Sequence, residues 1–72
     1  MKVFPNWVYK CLEDYGNCAL PNSAMDYDRE FLIKHLEQEM GRPIHIRQAM
    51  FPYYDNSQNL VEEKPYLIAE VI

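Results

Sequence analysis

The sequence predicts an α+β fold: two antiparallel helices packed on a small, mostly antiparallel sheet of two to three strands. Three observations carry this. Ser23 to Gly41 read with a helical period between a start and a stop signal. After Gly41-Arg42-Pro43 the period changes from 3.6 to 2. Tyr66 to Ile72 is apolar on both faces, as in a strand covered on both sides. The expected order is β-α-α-β-β, within one compact domain over residues 1–72.

In chain order, Met1 to Phe4 reads as a short first strand that Pro5-Asn6 breaks. Asn6 is the expected N-cap of a helix ending at Tyr15, with Gly16-Asn17 as its stop. On that helix Val8, Cys11, Leu12 and Tyr15 share an apolar face with Trp7 at its edge, while Tyr9 and Lys10 point away. Residues 17–22 (NCALPN) read as a linker. In the second helix Ser23 and Asp26 have the form of an imperfect capping box. Asp26, Asp28 and Glu30 lie near the positive end of the helix dipole. Gly41 takes the left-handed stop, and Pro43 cannot continue a helix.

That second helix carries two apolar strips. Met25, Leu32, Leu36 and Met40, flanked by Ile33, make the core stripe. Tyr27, Phe31 and His35 follow an i, i+4, i+8 spacing well around the helix, beside an acidic line of Asp26, Glu30 and Glu37. The second strip is expected to pack on the first helix, with exposure to a partner as the alternative. Residues 44–51 alternate as a half-buried strand, and 66–72 form the strand beside it. Between them residues 52–65 form a long loop, with a turn at Asp55-Asn56 and a little strand near Asn59-Leu60-Val61.

A chain of 72 residues buries only roughly 60% of its unfolded surface. It cannot hide all of its six tyrosines, three phenylalanines and one tryptophan, so some of these rings are expected on a binding surface. The net charge of −4 argues against non-specific nucleic-acid binding and suits a basic partner. No apolar run approaches the ~20 residues of a membrane span. The N-terminus has no signal-peptide pattern, so the expectation is a soluble cytoplasmic protein with reduced thiols.

Chemistry-bearing patterns are weak. Cys11, Cys18, His35 and His45 are ligand types, yet they lack the close pairs that structural zinc uses, and no metal or cofactor is expected. A Cys11–Cys18 disulfide is geometrically conceivable across the helix end, but the expected compartment disfavours it. Nothing in the sequence sets a nucleophile beside a base, and two glycines make no phosphate loop, so no enzyme is expected. Arg42, His45 and Arg47 with Phe51 form a basic cluster able to meet phosphate and stack a base. Pairing of these cations with nearby glutamates is the more ordinary use.

The expectation is therefore a protein that binds another protein. Tyr53, Tyr54 and Asp55 in the long loop and Tyr27 and Phe31 on the helix would anchor it. Asp26, Glu30 and Glu37 would select a basic surface. In format alone, small, acidic and single-domain, the chain resembles phage-encoded inhibitors of host enzymes or defence systems, anti-CRISPR proteins included. That resemblance implies action by covering a partner's surface. The alternatives are a small nucleic-acid-binding module, or a structural subunit or homodimer.

Overall fold

A computed structural model describes residues 3–72. Two helices and a three-stranded antiparallel sheet follow one another as α1 (Asn6–Tyr15), β1 (Asn17–Ala19), α2 (Arg29–Met40), β2 (Ile44–Tyr54) and β3 (Leu60–Val71). A 3-10 turn, Asn22–Asp26, separates β1 from α2. The class is the expected α+β, but the order is α-β-α-β-β. In space the strands run β1-β3-β2, with β3 central.

The third strand does not come from the N-terminus. Val3 and Phe4 form a bend, and Met1 and Lys2 lie outside the described residues. It comes instead from the expected linker. Asn17, Cys18 and Ala19 pair with Glu70, Ala69 and Ile68. The left-handed Gly16 ends α1, with its N–H on Leu12 O at 2.9 Å, and turns the chain straight into that strand.

Helix α1 starts at Asn6 itself, the expected cap, so that Pro5 takes the N-cap position one residue earlier. Its buried residues are Val8, Tyr9 and Leu12, so Tyr9 faces inward rather than away. Tyr15 is exposed instead. The expected 23–41 helix is divided. Ala24 is fully buried in the 3-10 turn, Tyr27 is extended, and Asp28 takes the N-cap position of α2. Aspartate competes with the backbone inside a helix and favours the cap, so the pair flanking Tyr27 moves the start downstream of Ser23. Gly41 closes α2 as expected, donating to Glu37 O at 2.8 Å. Of the expected core stripe, Leu32 and Leu36 are fully buried, and Ile33 and Met40 pack at the edge. Met25 belongs to the 3-10 turn and is exposed.

The core lies on one side of the sheet. Cys18, Ile44, Ile46, Leu67 and Ala69 meet Val8, Leu12, Leu32 and Leu36 there. By strand alternation the opposite face carries Ala19, His45, Arg47, Phe51, Tyr53, Tyr66 and Ile68, and among the described residues neither α1 nor α2 packs on it.

Strands β2 and β3 both run far beyond their expected ends. The supposed loop over 52–65 is the outer half of a hairpin, paired from Ile44↔Val71 to Tyr54↔Leu60 with an irregularity between Tyr53 and Tyr54. Leu20 N–H bonds to Leu67 O, and Val71 N–H to Gly16 O, so these β3 residues turn their polar groups toward β1. Alternation then points the Pro65 nitrogen away from β2. It likewise points the nitrogen of Pro52, paired with Glu63, away from β3. Neither proline interrupts the ladder, because each faces an open edge. The result is a two-stranded arm reaching out from the body of the fold.

Candidate functional site

The arm holds the densest exposed aromatic surface of the described residues. Phe51 and Tyr53 sit two residues apart on β2 with ring centroids 5.2 Å apart. Tyr66 reaches Phe51 from β3 edge-on at 6.4 Å. Lys64 lies over the Tyr53 ring at 5.2 Å, a cation–π contact. Phe51 remains 54% exposed and Tyr53 44%, so this stacking orders the rings without hiding them. Tyr54, Leu60 and Val61 add further exposed apolar area toward the tip.

At the root of the arm β1 has ended, and the 3-10 turn packs near β3. The corner so formed is an open cleft of about 550 Å³, walled by Leu20 and Met25 on one side and by Phe51, Tyr53 and Tyr66 on the other. Lys64 stands in the same wall. A cleft of this size admits a large side chain of a partner.

Charges on the uncovered sheet face are paired. Arg47 Nε donates to Glu70 Oε1 at 2.8 Å, and Lys64 Nζ lies 3.7 Å from Glu62 Oε1. Of the expected basic cluster, His45, Arg47 and Phe51 do share this face. Arg42 lies apart, beside Glu13 and Glu39 in a separate hollow.

The other expected anchors form a second patch. Tyr27 stacks on Phe31 at 5.4 Å, and Phe31 on His35 at 6.2 Å. The expected packing on α1 holds at one end of this strip, where His35 Nε2 lies 2.7 Å from the Tyr9 hydroxyl. Tyr27 and Phe31 remain exposed. Met25 touches both patches, lining the arm cleft and a hollow it shares with Tyr27, Gln48 and Leu67.

Two expected carboxylates have structural employment. Asp55 Oδ1 accepts the N–H groups of Ser57 and Asn59, both at 2.9 Å, and so shapes the hairpin tip. Glu37 Oε2 accepts the Ile44 N–H at 3.2 Å, tying α2 to the start of β2. Asp26 and Glu30 are exposed near Tyr27 and Phe31. Sequence reasoning missed Tyr66, Lys64 and Met25. Their signal was register, since Tyr66 and Lys64 face Ala49 and Phe51 only once the hairpin is extended through both prolines.

Cys11 and Cys18 come together across the α1–β1 turn, both as free thiols. Burial pushes the Cys18 thiol up to about 12, and a hydrogen bond and charge effect from Cys11 add to the rise. His35 and His45 lie elsewhere, and no three potential ligands gather for a metal among the described residues. Nor is any helix there long and apolar enough to cross a membrane.

No protein-family model, curated protein or solved structure matches this chain.

Proposed function

We propose that this small acidic protein binds another protein through the aromatic face of its arm. The observation that carries the reading is the ordered row of exposed Phe51 and Tyr53 with half-buried Tyr66, beside an apolar cleft. Rigid aromatics presented this way supply contact area at low entropic cost and are the usual anchors of an interface. Charge indicates the kind of partner. The arm over residues 50–66 holds Asp55, Glu62 and Glu63 against Lys64 alone, so a basic surface complements it. Occlusion of that surface is the mode of action we infer, as in the phage-type inhibitors that the chain resembles in format, with no chemistry of its own. Tyr27, Phe31, Asp26 and Glu30 form a secondary contact region continuous with the first through Met25.

The test is capture of a stoichiometric protein partner by the immobilised chain, followed by affinity measurements on variants. Phe51→Ala/Tyr53→Ala should weaken binding a hundredfold or more, the effect of losing central aromatic anchors. Tyr27→Ala/Phe31→Ala should weaken it by about tenfold, as for contacts at the rim. Full binding by the arm variant would overturn the assignment of the site. Capture of nucleic acid alone, released steeply by salt, would replace the reading with base stacking on the same rings.

A further inference from the structure

A second feature lies away from the arm, at the opposite end of β1. The left-handed Gly16 reverses the chain between α1 and β1 and lays the new strand against the last turn of the helix. The Cys11 thiol donates to Asn17 O at 3.2 Å, the carbonyl of the peptide bond leading into Cys18. The Cys18 thiol bonds to Ala19 O at 3.3 Å, and Cys11 packs against the same hydrophobic cluster that holds Cys18. Cys11 is partly exposed, whereas Cys18 is buried beneath it. A partly exposed thiol thus lies against the peptide group next to a buried cysteine, both held by fixed elements.

We propose that Cys11 and Cys18 form a disulfide-forming pair, in which Cys11 reacts first with a low-molecular-weight disulfide and Cys18 closes the ring. In the first step the Cys11 thiolate attacks one sulfur of the small disulfide. The Cys11–sulfur bond forms, the small disulfide bond breaks, and one small thiol leaves with the proton that Cys11 had lost. In the second step the Cys18 thiolate attacks the Cys11 sulfur and expels the second small thiol, which takes up the Cys18 proton. The protein loses two protons and two electrons, that is two hydrogen atoms, and the small disulfide is reduced to two thiols. The order follows from access: the buried sulfur cannot meet the reagent, but it sits one peptide group from the sulfur that has. Burial, the largest influence that holds Cys18 protonated, persists through both steps, while the two smaller ones from Cys11 end once its sulfur is in the mixed disulfide, so ring closure is the slower step and quickens with rising pH.

The consequence is a covalent tie between the end of α1 and the edge strand β1, whose far end leads into the Leu20 wall of the arm cleft. Trp7 lies one helical turn before Cys11, and it is the chain's one tryptophan. Its fluorescence therefore reports ring closure, because a disulfide quenches a neighbouring indole.

The experiment equilibrates the full chain with mixtures of reduced and oxidised glutathione, under native conditions and in denaturant. Native protein should lose two hydrogens by mass, remain monomeric and lose Trp7 fluorescence reversibly. Its effective thiol concentration should exceed that of the denatured chain by at least tenfold, because the fold already holds the sulfurs together. The oxidised form should melt on the order of 10 °C higher than the reduced one. Cys18→Ser should stop as a glutathione adduct on Cys11, and native Cys11→Ser should not react. Persistence of the Cys11 adduct in wild type would overturn the proposal. So would disulfide-linked dimers, or ring closure no stronger in the native than in the denatured chain. Each of these three overturning outcomes is read on the wild-type chain, so none depends on a variant folding.

Discussion

The Tyr9 hydroxyl accepts the Phe4 N–H at 3.2 Å and lies 2.7 Å from His35 Nε2, which also takes the Val3 N–H at 3.5 Å. One phenol thereby joins α1, α2 and the N-terminal segment. Tyr9→Phe keeps the ring's packing against Phe4 but strips the acceptor from a buried N–H. We expect a loss of about 1–3 kcal/mol, read as a lower denaturant midpoint at unchanged slope. Unaltered stability would mean that the three-way contact does not hold these segments together. At Cys18 the sign of the pH dependence follows from the raised folded value. Below the unfolded value near 9 both states are protonated and the contribution is fully present; it is lost as pH rises toward 12. Between those limits the reduced wild type should lose stability more steeply than Cys18→Ala, by at most about 1.4 kcal/mol per pH unit. Parallel stability curves for the two proteins in alkali would contradict the burial of the thiol.

Among the elements, the arm is the one whose order depends most on its turn, since a two-stranded ribbon has little stability by itself. Asp55 N–H bonds to Asn59 O and Gln58 N–H to Asp55 O, both at 3.0 Å, while Gln58 takes the left-handed conformation at φ 66°. This is a three-residue hairpin loop with a non-glycine at its left-handed position, and the Asp55 carboxylate offsets that strain through two further bonds. Asp55→Ala should lower amide-exchange protection in the outer arm about fivefold, corresponding to about 1 kcal/mol, and leave Leu67 and Ala69 unchanged. Equal losses in both regions would show that the arm and body open as one unit. The arm also shows where the sequence was legible. The period-2 runs at 44–51 and 66–72 and the turn at Asp55 were readable, because alternation and turn chemistry are local. Pro52 and Pro65 hid the joining segments, since a proline disqualifies a strand unless its nitrogen faces an open edge, and that is a matter of register. Strand β1 was hidden for another reason: three residues are too few to show a period in sequence, although its burial does alternate around Cys18. The division of the second helix was written in the Asp26-Tyr27-Asp28 run, which the helical period on either side outweighed.

At the scale of the whole molecule, the principal extents are 45 × 25 × 20 Å and the radius of gyration is 13.8 Å, against about 11 Å for a compact chain of this length. The excess length is the arm, so the apolar residues divide into two populations with different work. Leu32 and Leu36 are fully buried in the core, among Phe4, Tyr9, Leu12, Leu20, Ile44, Ile46 and Leu67. Leu36→Ala should cost about 2–5 kcal/mol, a large share of what so small a domain possesses. Phe51 and Tyr53 have comparable apolar bulk but stand in water on a face that neither α1 nor α2 covers. Replacing both with alanine should move stability by only about 0.5 kcal/mol per site, beyond some loss of their mutual stacking. Denaturation of the two variants beside wild type separates these effects, and partner affinity supplies the second axis. The Leu36 variant should lose binding only in proportion to its unfolded fraction, while the arm variant should lose binding with its fold retained. If the Phe51/Tyr53 variant instead unfolded as readily as the Leu36 variant, those rings would be core residues of the arm. The protein-binding reading would then lose the observation on which it stands.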